Sequence, residues 1–187
     1  MQIEIEKIFV NIIKQYLDLP NDYGVDEQGN IIPSVVIKSQ NIKLFNTSKM
    51  QITVSTASSK VYANRREVKT IDGVYSEIAC MNDQRIMQID VYSRSNEARE
   101  RFSEVQMALT STLAEQAQDK YQFRIGKISN AVNLSGLDGG SEINRYTIRF
   151  NVLSWYNKIK PINYYNSFET EVYNEQGLQA EFNIQEE

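Results

Sequence analysis

The residue types that do chemistry are few in this chain, and their spacing is unfavourable. Histidine is absent and the only cysteine is Cys80. A His-based general base and zinc chemistry are therefore excluded, and no internal disulfide can form. Cys80 sits in the apolar run Ile78-Ala79-Cys80-Met81 and reads as a buried thiol acting as a small hydrophobe. Asp83 and Asp90 are the two carboxylates that could face each other as an acid-base pair. Alternation places Asp90 on the strand face opposite Ile89 and Val91, so it reads as a solvated or interface carboxylate. Ser93 and Ser95 have no base to activate them, and suit entry into a helix better than nucleophilic attack. Gly136-Leu137-Asp138-Gly139-Gly140 lacks the Gly-Lys-Ser/Thr ending of a phosphate loop. Asp22, Asp26, Glu27 and Asn30 have the wrong spacing for a calcium loop, and no acidic residue stands at the bidentate position. The expectation is a non-enzymatic chain with no cofactor and no metal.

Charge narrows the partners. The net charge is -4, and the basic residues are scattered apart from Arg65-Arg66 and Lys158-Ile159-Lys160. Gripping nucleic acid by counterion release requires clustered Lys and Arg. The start, Met1-Gln2-Ile3-Glu4-Ile5-Glu6, is acidic where a secretory signal is basic, and no window reaches the roughly 20 apolar residues of a membrane span. A protein made and folded in the cytoplasm is expected.

The elements that would position these residues follow from periodicity. Ile5, Ile8, Phe9, Ile12, Ile13 and Tyr16 recur at helical spacing, which predicts an amphipathic helix over 2–17 that ends at Pro20. Residues 20–46 read as a long connector. From 49 to 93 the period becomes two, which predicts a four-stranded antiparallel meander with turns at Thr56-Ser59, Gly73 and Met81-Gln84. Met87, Ile89 and Val91 face inward on the last of these strands. A second helix is expected over 96–113, with Ser95 as N-cap and Ala98, Phe102, Val105, Leu109 and Thr112 buried; residues 114–118 extend it or begin a short new piece. Gln122–Ser129 reads as a strand and Leu134–Ser141 as a flexible loop. Ile143–Tyr156 is the clearest strand, with Tyr146, Ile148, Phe150 and Val152 alternating with polar residues. The fold class is α+β, a mainly antiparallel sheet with two amphipathic helices on one face. It forms one domain over 1–173, followed by a polar C-terminal tail over 174–187 that is expected to fray.

Eleven tyrosines, seven phenylalanines and one tryptophan exceed what this core needs. Many fall in the last third of the chain, which points to a protein interface as readily as to the subunit's own core. The candidate interface residues are Arg65, Arg66, Tyr164, Tyr165 and Phe168.

One stretch resembles a known family. Gln88-Ile89-Asp90-Val91-Tyr92 runs through Ser93-Arg94-Ser95-Asn96-Glu97-Ala98 into a helix, and this is similar to the neck and tail terminator proteins of contractile-tailed bacteriophages. The N-terminal helix, the late strand Arg145–Trp155 and the aromatic segment Ile162–Phe168 agree with the pattern. Family members usually have glycine after the strand tyrosine, where this chain has Ser93. The resemblance implies a virion structural protein made in the bacterial host. Six copies would form a ring on the head-proximal end of the tail tube, with the tail tube protein, the sheath protein and the head-tail connector as neighbours. Genomic DNA would pass through the lumen without specific binding. Another head-tail joining or tail completion protein, or a cellular protein-binding module, is the alternative. Replacing Tyr164 and Phe168 with Ala is expected to weaken ring assembly while the monomer stays folded. Light scattering that shows unaltered assembly would remove these residues from the interface.

Overall fold

The computed structural model describes residues 4–26, 28–38, 48–138, 141–162, 167–174 and 177–185, with side chains in most of the stretch up to 162. The order of elements is α1 (Ile5–Tyr16), β1 (Asp22–Val25), β2 (Ile31–Pro33), β3 (Val35–Ile37), β4 (Gln51–Ile71), β5 (Val74–Ser93), α2 (Glu97–Leu109), α3 (Thr112–Tyr121), β6 (Phe123–Ile128), β7 (Val132–Asn133), β8 (Gly136–Asp138), β9 (Ser141–Pro161), β10 (Ser167–Asn174) and β11 (Gly177–Gln185). The class is α+β. The main sheet runs β3-β4-β5-β9-β6, with β7 and β8 also paired to β9. It is antiparallel where β6, β7 and β8 meet β9, and β3 pairs parallel to β4, with Val35 opposite Ile52. The chain divides into two compact units. One contains Met1–Asn64 and Met81–Tyr156, the other Arg65–Cys80 and Asn157–Glu187.

The first unit holds the core. Ile5, Ile8, Phe9, Ile12 and Ile13 of α1 are buried, as their spacing predicts. They join Ile52 and Val54 of β4, Met87, Ile89 and Val91 of β5, and Tyr146, Ile148, Phe150 and Val152 of β9. Phe9 is at the centre, edge-on to Phe123 at 5.7 Å and to Phe150 at 5.0 Å. Phe102 of α2 stacks on Tyr146 at 4.5 Å.

The elements differ from expectation in four places, the first being residues 20–46: expected as a long connector, they contain β1 and β2, which pair antiparallel, and β3, which pairs parallel to β4. The helix α1 ends at Tyr16, within one residue of the expected end, and its stop is made locally as well as by Pro20. Asp18 takes a left-handed conformation (φ 50), and Leu17 and Leu19 donate back to the Ile13 and Lys14 carbonyls. Arg101 Nη2 reaches the Leu17 carbonyl at 3.2 Å and satisfies the helix end from α2.

The four-stranded meander is instead one hairpin, with strands of 21 and 20 residues. Thr56 and Ser59 do not turn the chain. Thr56 Oγ1 bonds Glu6, and Ser59 Oγ donates to Asp83 at 2.7 Å, so their hydroxyls are used across elements. The turn is Asp72-Gly73, both left-handed (φ 51 and 79). This is the two-residue geometry that matches strand twist.

The second helix breaks in two. Thr110 Oγ1 and Ser111 Oγ donate to the Met107 and Ala108 carbonyls, at 3.1 and 2.7 Å. The Ser111 hydroxyl then accepts from Ala114 N at 3.3 Å and caps α3. Three helices therefore stand where two were expected, and Thr112 is exposed.

The fourth difference is at the glycines and the tail. Gly136–Asp138, expected as loop, pairs with Ser141–Ile143. Gly177–Gln185, expected to fray, pairs antiparallel with Ser167–Asn174.

Phe9→Ala is expected to destabilise the fold by about 3–5 kcal/mol, the usual cost of deleting a buried ring. Urea denaturation followed by circular dichroism measures it. A loss below about 1 kcal/mol would mean the ring is not central to the core.

Candidate functional site

The strand that carries the resemblance has two faces, and the polar one is the candidate site. Ile89 and Val91 point into the core, so Gln88, Asp90 and Tyr92 share the opposite face. That face was expected to be solvated, or to lie in an interface, at Asp90. In the subunit Asp90 is only 2% exposed, and Tyr92, Thr147, Gln51 and Thr53 are buried with it. A buried carboxylate needs charge and hydrogen-bond partners, and Asp90 has both. Thr147 Oγ1 donates to Oδ1 at 2.5 Å. Gln88 Nε2 lies 3.2 and 3.1 Å from the two carboxylate oxygens. Arg145 Nη2 is 3.2 Å from Oδ2, and Lys38 Nζ is 3.8 Å from it. Gln88 is itself held, because Arg149 Nε donates to its Oε1 at 2.9 Å.

These contacts fix the register. Gln88 meets Arg149 and Asp90 meets Thr147, so β5 and β9 run antiparallel, with residues moving in opposite directions at a constant offset.

Electrostatics agrees with the geometry. Burial pushes the Asp90 carboxyl up, and this is the largest single effect. The Thr147 and Gln88 hydrogen bonds and the Arg145 charge together outweigh it, so its pKa falls below the ordinary value of 3.8. Burial, then the neighbouring Asp90 charge, pushes the Tyr92 hydroxyl well above its ordinary value, so it stays protonated. Each carboxylate oxygen of Asp90 has at least two polar partners, Thr147 and Gln88 at Oδ1, and Gln88 and Arg145 at Oδ2. Beside the network, Gln51 Oε1 and Nε2 and Thr53 Oγ1 are buried with no hydrogen-bond partner among the described residues.

The turn after Tyr92 is built by hydroxyls. Ser93 Oγ donates to the Ser95 carbonyl at 2.6 Å and accepts from Ala98 N at 3.0 Å. Ser95 Oγ accepts from Glu97 N at 3.2 Å, although the N-cap position itself is Asn96. The seryl hydroxyls therefore organise helix entry. Ser93 also has no positive φ, so the backbone at this position does not require the glycine of the family pattern.

The other sequence-selected residues are dispersed. Asp83 lies on the opposite face of β5 from Asp90, so the two carboxylates do not form a pair. Asp83 accepts from Ser59 and from Arg85 Nε, each at 2.7 Å, and Arg85 Nη2 donates to the Tyr156 hydroxyl at 2.8 Å. Asp26 closes its own turn by accepting from Gln28 N and Asn30 N at 2.9 and 2.7 Å, and from Asn30 Nδ2 at 2.9 Å. Cys80 is half-buried rather than fully buried. Arg65 and Arg66 are exposed along β4, six and five residues before its end. They pair with Glu67 and, at 3.6 Å, with Glu77. Tyr164 and Tyr165 lie outside the described residues, and Phe168 is described only as a backbone position of β10, opposite Ile184. The excess aromatics divide: Tyr146 is core, Tyr156 binds Arg85, and Trp155 is 43% exposed. What the sequence reading missed is the cross-strand set Lys38, Arg145, Thr147 and Arg149. The one available signal was that Arg145, Thr147 and Arg149 alternate with the apolar residues of β9 and so share one face.

Asp90→Asn is expected to cost roughly 3 kcal/mol at neutral pH, because it leaves Arg145 and Lys38 facing a neutral group. The Asp90 pKa is lowered in the folded state, so its contribution is full above the unfolded value of about 3.9 and is lost as pH falls through the folded value. The stability gap between the wild type and the variant should therefore narrow below about pH 4. A gap that stays constant between pH 7 and pH 3 in urea titrations would show that Asp90 is not held as an anion.

Among the described residues, no helix is long and apolar enough to cross a membrane. No three acidic or thiol side chains among them are grouped to hold a metal ion. No protein-family model matches the chain, and no curated protein matches it.

Proposed function

We propose that this chain is a structural subunit of a phage neck or tail, a terminator that assembles into a ring on the head-proximal end of the tail tube. It would act without catalysis or cofactor and reside in the virion. The observation that carries the reading is the use of the Gln88-Asp90-Tyr92 face. Its carboxylate is buried and fully engaged by Thr147, Gln88 and Arg145. A group in that state locks two strands together and leads directly into the hydroxyl-built entry of α2. This is a positioning device, and it falls on the residues that carry the family resemblance.

A second support is the exposed apolar side chains of each unit. Val132, Leu134 and Leu137 in the first unit, and Val74 and Ile159 in the second, are each about half exposed or more. Exposed apolar side chains grouped in this way mark protein contact sites. Ring subunits need such surfaces, because a closed assembly buries two different patches on every copy.

Native mass spectrometry of the purified protein, with negative-stain imaging of the same sample, tests the reading. A hexameric ring that also binds the end of purified tail tubes is the expected result. A protein that stays monomeric and does not cap tubes would sink the proposal.

A further inference from the structure

The two units carry surfaces that are opposite in character. In the second unit, Ile162 N donates to the Tyr75 carbonyl at 3.0 Å, which sets β9 antiparallel to β5 there. With that pairing, strand alternation puts Val74 and Ile78 of β5 and Ile159 of β9 on one face. The Arg66–Glu77 ion pair places even-numbered residues of β4 with odd-numbered residues of β5. Arg65, Glu67 and Lys69 therefore fall on the same face as Val74. Ile159 is 60% exposed and Val74 50%. Arg65 and Lys69 both pair with Glu67, and their own side chains are 76% and 62% exposed. The face carries Val74, Ile78 and Ile159 around a buried Ser76, with Arg65 and Lys69 flanking Glu67 along one side.

The first unit carries the complement. Val132 and Leu134 are about half exposed, and Leu137 is 82% exposed. Among the described residues β8 pairs with β9 alone, so its other edge is open. Glu142, opposite Leu137, is exposed. The segment from Val132 to Asn144 contains Asp138 and Glu142 and no basic residue. This is an apolar edge with one described carboxylate, Glu142, opposite Leu137.

We infer that the Leu137 edge of one copy docks on the Val74–Ile159 face of the next copy, with Glu142 meeting Arg65 and Lys69. The partner is a second copy of this chain. The two surfaces differ, so the contact is head-to-tail, and its repetition makes a closed ring or an open chain. The inference rests on the ring reading above and names the contact that makes the ring.

Three samples test it: Leu137→Asp, Ile159→Asp and an equimolar mixture of the two. Both positions are exposed, and circular dichroism checks that each variant is folded. The wild type should assemble and each variant alone should be monomeric. The mixture should give mixed dimers by native mass spectrometry, because each variant keeps one intact half of the contact. Rings that persist in either variant would overturn the pairing and leave the ring reading standing. A mixture that stays monomeric would also overturn the pairing. A wild type that is monomeric at millimolar concentration, with or without tail-tube ends, would remove both.

Discussion

A single carboxylate placed under the sheet constrains most of the first unit. Asp90 can be buried only if Thr147, Gln88 and Arg145 all reach it, and that happens in one register of β5 against β9. A slip by one residue would turn Asp90 into the apolar core and push Ile89 and Val91 out of it. The charge therefore adds specificity that the apolar face, with its run of interchangeable aliphatic side chains, lacks. Buried polar groups have this role in some proteins at a cost in stability.

Charge placement continues from this strand into the helices. Glu97 in the first turn of α2 accepts from Met50 N at 2.8 Å, where the strand of Gln51 begins. Arg101, one turn further, lies 3.5 Å from Glu97, pairs with Glu104 at 2.8 Å and caps the end of α1. One face of α2 thus ties β4 and α1 to the strand that precedes it. Helix propensity contributes little here; tertiary contacts fix where each helix starts and stops.

The sequence showed the core clearly and the polar face poorly, for a physical reason. Helical spacing in α1 and alternation in β5 and β9 report apolar burial directly, and Phe9, Ile89 and Ile148 are where those periods put them. The burial of Asp90 depends on Arg145 and Thr147, more than fifty residues away, and no local pattern encodes that meeting. The long hairpin was illegible for another reason. Residues 57–66 are exposed on both faces, so they show no alternation, and Ser58 and Ser59 suit a turn as well as a strand. The break between α2 and α3 was half visible, since Thr110 and Ser111 have both helical and capping uses.

The turn at Asp72-Gly73 has a consequence for how the chain finds this structure. From it, β4 and β5 can close like a zipper, each new pair adjoining the last, with little loop entropy to overcome at any step. The Asp90–Thr147 contact spans 57 residues and encloses α2, α3 and β6. Contacts of such sequence separation slow folding. The hairpin is thus the local, fast element, and recruitment of β9 is the slow one. Until β9 arrives, β5 presents a bare edge and an unneutralised carboxylate, and that charge discourages a wrong strand from pairing there first.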